Sequence, residues 1–122
     1  YIEYYGRSIL RMEWGEPEIT DEFMEQRVSI IDSRTGIRWS GSARSVIGHD
    51  YELPVNKILD IVRNAVAEAR RGVDGIRIYR YEQARIHVEL RRNNGFLNAS
   101  SIKMNVSIED KNIYHISLDP EI

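Results

Sequence analysis

The chain has 122 residues, 42% of them apolar and 30% charged. That is the size and balance of one globular domain, spanning 1–122, rather than of a collagen-like, disulfide-framed or disordered polypeptide. It has no cysteine, which excludes disulfides, thiol catalysis and cysteine-ligated zinc or iron–sulfur clusters. No apolar run approaches the ~20 residues that span a bilayer, and a net charge of −2 supplies no overall field for nucleic acid or an acidic membrane.

In chain order, the first residue is Tyr1 rather than methionine, the start expected of a processed chain or of part of a longer one. No signal-peptide pattern follows it, and the cytoplasm is the expected compartment. Tyr1, Tyr4 and Tyr5 are expected to bury against this domain, a second copy or a partner. Residues 8–14 alternate, with Leu10, Met12 and Trp14 on one side, and read as a strand. Residues 15–21 read as an acidic linker with a turn-forming Pro17. Strands at 23–32 and 37–44 flank Ser33-Arg34-Thr35-Gly36. With Gly36 left-handed, Asp32 meets Ile37, and Ile30 and Val28 fall opposite Trp39 and Gly41.

Val55, Ile58, Leu59, Val62, Ala65, Val66 and Ala69 follow the i, i+3, i+4, i+7 rule and predict one long helix over about 54–71. Pro54 suits its first position and Gly72 a left-handed stop. Strands follow at 76–81, 85–91, 101–109 and 112–118, each alternating apolar with polar side chains. A three-residue loop at 110–112 would pair Ile108 with Tyr114 and Ser107 with His115, keeping one face apolar. The expected fold is α+β: a mainly antiparallel sheet of six or seven strands, order β-β-β-α-β-β-β-β, with the helix on its apolar face.

Charge is uneven. Residues 1–25 carry net −5, residues 63–92 net +4, and arginine outnumbers lysine 14 to 3. The acidic cluster Glu16, Glu18, Asp21, Glu22 and Glu25 is the expected docking edge for a basic partner, through charge complementarity. Arg77, Tyr79 and Tyr81 alternate on one strand, and Arg85, His87 and Arg91 extend them. Cations with stacking aromatics on a sheet face would suit single-stranded nucleic acid or a second copy of the chain.

Motifs for catalysis are sparse. The histidines lack the short spacing of a metal site, and His87 with Glu89 supplies only two ligands. Ser107, His115 and Glu89 hold the side-chain types of a serine triad without a nucleophile turn or oxyanion donors. The N-terminal carboxylates do not match a calcium loop, and Gly72-Val73-Asp74-Gly75 is not a phosphate loop. No catalytic residue, metal or cofactor is therefore expected. The expected function is a non-enzymatic protein-binding module, such as an immunity- or antitoxin-type inhibitor of a basic toxin. A nucleic-acid-binding module on the Arg/Tyr strand is the first alternative. A small enzyme or ligand-binding domain with a helix–sheet cavity is the second.

Overall fold

The computed structural model describes residues 2–5, 10–33, 36–92 and 98–121. Its strands are β1 (Ile2–Tyr5), β2 (Leu10–Trp14), β3 (Glu18–Ile19), β4 (Phe23–Asp32), β5 (Arg38–Val46), β6 (Gly75–Tyr81), β7 (Ala84–Arg92), β8 (Ser100–Ile108) and β9 (Lys111–Glu121), and α1 (Val55–Ala69) is the helix. All nine strands form one antiparallel sheet in the order β1-β2-β4-β5-β9-β8-β7-β6, with β3 beside β4. The α+β class and the single helix agree with the sequence. The sheet is larger than expected because Ile2–Tyr5 pairs with β2 and Glu18–Ile19 with β4.

The order places the last strand, β9, in the middle of the sheet. Across the alternating directions β5 and β6 run parallel, so the chain must cross β9, β8 and β7 between them, and α1 makes that crossover. One side of α1 buries Ile58, Ile61, Val62, Ala65, Val66 and Ala69. They meet Leu10, Met12, Val28, Ile30, Ile86, Val88, Ile102, Met104, Ile116 and Leu118 on the sheet's inner face. Pro54 occupies the cap, one place earlier than expected, and no side chain caps the first turn. Gly72 is left-handed, with φ +70, and its N–H donates to the Ala69 carbonyl at 3.0 Å.

Trp39 joins the two halves of the sheet. It is fully buried, and its indole donates 2.9 Å to the Ser100 carbonyl, across β9 on β8. Gly41 allows β5 to approach β9: a Cβ there would stand 1.7 Å from the Ser117 carbonyl oxygen. The β4–β5 register is the expected one, with Ile30 opposite Trp39 and Val28 opposite Gly41. Residues 34–35 of that hairpin lie outside the described residues.

The β8–β9 hairpin corrects an expectation. Ile108 pairs with Lys111 across a two-residue turn, Glu109-Asp110, in which both residues have positive φ. Such turns match the strand twist. The register then shifts between Val106 and Ser107, leaving Ile113 as an extra, buried residue. That bulge restores apolar alternation, so Val106 faces Tyr114 and Met104 faces Ile116.

Candidate functional site

The sheet is covered unevenly. Past Trp14 the chain keeps following β4, with the Gly15 N–H donating 2.7 Å to the Arg27 carbonyl. The Gln26 side-chain amide donates back to the Gly15 carbonyl at 3.1 Å. Pro17, which has no N–H to offer a ladder, interrupts the strand before β3 resumes pairing at Glu18↔Glu25 and Ile19↔Met24. Opposite this segment stands the N-terminal half of α1. Between them lies a cleft of about 550 Å³, walled by Trp14, Pro17, Leu53, Val55, Leu59 and Tyr114. That volume is within the range of ligand and anchor-residue pockets, and the lining has their mainly apolar character.

Polar groups at the cleft are few. Glu16 is the single charged lining residue and Gln26 the single amide. Tyr114 is mostly buried, and loss of hydration pushes its phenol up to about 12. The apolar surface extends past the rim. Val55 is 56% exposed, and Ile19, which shares the cleft's side of the sheet through its partner Met24, is 69% exposed.

Every residue of the expected acidic edge falls at this corner. Glu16 lines the cleft, and Asp21 and Glu22 form the β3–β4 turn, but Glu18 on β3 and its partner Glu25 point to the open face of the sheet, away from the cleft. Thr20 shapes the turn, its hydroxyl accepting from the Phe23 N–H at 3.2 Å. Glu25 is held by Arg44 at 3.2 Å, and Arg44 also lies 4.0 Å over the Phe23 ring. Glu16, Glu18, Asp21 and Glu22 are exposed and make no ion pair among the described residues.

The Arg/Tyr set does not share a face. Pairing of Arg77 with Val88, Tyr79 with Ile86 and Tyr81 with Ala84 puts these three on the helix side. Arg77 meets Glu68 of α1 at 3.9 Å, and Lys57 of α1 lies 5.8 Å from the Tyr81 ring. Arg85, His87 and Arg91 are on the opposite, open face, beside Ile76, Ile78 and Arg80. The expected continuous stacking platform is therefore split by the sheet itself.

The triad-like grouping also separates. The bulge brings His115 opposite Asn105, whose Oδ1 is 2.6 Å from its Nδ1, while Ser107 faces Asn112. Loss of hydration, then Lys103 and Arg44, lowers the His115 pKa. His87 and Glu89 share the open face. Among the described residues no group of three or more His, Asp or Glu side chains is gathered as a metal would need. Nor is any helix long and apolar enough to cross a membrane.

No protein-family model, curated protein or solved structure matches the chain. The acidic corner is visible in the sequence as charge. The cleft is not, although its helix wall is: Val55 belongs to the apolar stripe yet stays exposed, a departure only the packing reveals.

Proposed function

We propose that this chain is a protein-binding module that engages a basic partner at the β3–β4 corner, seating an apolar side chain of that partner in the cleft. One observation carries the reading: an open, apolar cleft has the exposed, unpaired Glu16 in its wall, with the unpaired Asp21 and Glu22 in the adjacent β3–β4 turn. An apolar anchor in a pocket with charges around it is how binding energy and steering divide at protein interfaces. Nothing basic lines the cleft, so a cationic segment meets no repulsion there. Neutralisation of a basic toxin is one activity such a surface could perform. The cleft's volume also favours a second reading, capture of a compact apolar small molecule.

Panning displayed random peptides on the intact chain tests the first reading and requires no identified partner. Recovered peptides should carry a bulky apolar residue flanked by Lys or Arg. They should lose binding to the Val55→Lys variant and bind more weakly as salt rises. Peptides that ignore both the substitution and salt would overturn the proposal. Saturable binding of neutral aromatic probes, quenching Trp14 fluorescence, with no basic peptide recovered, would favour the small-molecule reading.

A further inference from the structure

The edge strand β6 has a surface of its own, on the face of the sheet opposite the cleft. It ends the sheet, and no strand pairs with its outer side among the described residues. It is seven residues long, contains no proline, and leaves Ile76 57% and Ile78 50% exposed on the open face. Exposed edges are usually blunted by proline, bulges or inward charge, because their free N–H and C=O groups recruit other strands. On this edge the one inward charge, Arg77, has Glu68 of α1 as its partner, while the open face presents two β-branched apolar side chains, the residue type that packs best in a ladder.

We infer that β6 pairs antiparallel with β6 of a second copy, on a two-fold axis through Ile78, making one continuous sheet from two chains. The register argues for this occupant. Only the axis at Ile78 uses all seven residues, setting Gly75 against Tyr81, Ile76 against Arg80, Arg77 against Tyr79 and Ile78 against itself. An axis at Arg77 or at Arg80 would set arginine against its own copy, and like charges directly opposed destabilise a pair. An axis at Tyr79 would pair only residues 77–81 and leave Gly75 and Ile76 outside the ladder. Registers shifted by one residue would mix the two faces.

Charge supports the same arrangement. Within one chain Arg80 lies opposite Arg85, and neither makes an ion pair among the described residues. Pairing brings Ile76 of the second copy opposite Arg80, with that copy's Glu89 one strand beyond. Two strand spacings are roughly 10 Å, a separation a long guanidinium side chain spans. Glu89, which in its own chain holds Arg91 at 3.2 Å and lies opposite Lys103, thus adds a carboxylate to a row that otherwise sets Arg80 beside Arg85 with no anion. The opposite edge is a poorer partner strand among the described residues, where β3 offers two residues and β1 four. A two-fold pair also closes, whereas edge-to-opposite-edge pairing would propagate.

The absence of native cysteine makes the register directly testable. Light scattering at high micromolar concentration should give the dimer mass, and Ile78→Lys should raise the dissociation constant at least tenfold with an unchanged far-ultraviolet circular dichroism spectrum. Under mild oxidation or with a short thiol cross-linker, Ile78→Cys should link to itself. Arg80→Cys alone should not, while Ile76→Cys mixed with Arg80→Cys should give the mixed dimer. A monomeric parent, a dimer indifferent to Ile78→Lys, species that grow without limit, or self-linking of Arg80→Cys matching that of Ile78→Cys would each overturn the inference.

Discussion

The two ends of α1 rest on the same sheet but end differently. At the C-terminal end Val66 and Ala69 are fully buried, and Arg70 reaches the buried Asp32 at the end of β4, 3.5 Å away. At the N-terminal end Val55 is more than half exposed, and Leu53 and Leu59 face an open cleft. The same kind of side chain is spent on stability at one end and left available at the other. An apolar stripe with the period of a helix therefore does not establish that all of it is core. The part of the stripe left uncovered, Val55 with Leu59, is the part to test for binding.

The largest expected effect breaks the closed end. Val66→Asp forces a carboxylate into the fully buried helix–sheet contact at a cost of several kcal/mol, a large fraction of the stability of a domain this size. The variant should be unfolded, or should melt far below the parent, by circular dichroism. Next is Asp32→Ala, which leaves Arg70 facing a buried gap. Breaking such a pair by removing one partner costs about 3 kcal/mol, less here because Arg70 reaches solvent. The readout is the denaturant midpoint at constant m-value.

Much of this architecture is legible in the sequence, for identifiable reasons. The β4–β5 register follows from one hairpin glycine and strict alternation. The helix follows from a seven-residue apolar stripe closed by Gly72. The misses are equally specific. β3 is two residues long and has no period to detect. The turn at Glu109-Asp110 uses positive φ without glycine, and its matching bulge at Ile113 cannot be read from alternation. At the edge strand both residue sets alternate equally well. Which set faces the helix is decided by the register with β7, which places Arg77, Tyr79 and Tyr81 beside the buried Val88, Ile86 and Ala84. The acidic corner needs only charge to be seen; the cleft beside it depends on where the helix parts from the sheet.

Alkaline titration probes the open end from inside. Tyr114 has a folded pKa of about 12 against an ordinary value of 10. The folded state therefore keeps a proton that the unfolded state releases between those values. Stability from this group is complete below pH 10 and is lost as pH rises toward 12, by on the order of 2 kcal/mol. Tyr114→Phe should flatten that part of the stability–pH curve, measured by denaturant titration, while changing neutral-pH stability little. A curve of unchanged slope would mean that the phenol is hydrated through the cleft.

The smallest effect on stability should accompany a decisive effect on binding. Val55 is the first residue of α1 and more than half exposed, so Val55→Lys removes little buried area. A cation in the first helical turn opposes the helix dipole by only a few tenths of a kcal/mol. The melting temperature should fall by no more than a degree or two. Its ammonium group would nevertheless stand at the cleft mouth beside Glu16, cancelling the local negative charge and meeting a basic partner with like charge. The same pair of measurements on Val66→Asp gives the reverse pattern, since that variant loses binding only by losing the fold. If Val55→Lys proves as destabilising as a core substitution, the first turn of the helix is core after all, and the contrast between its two ends fails.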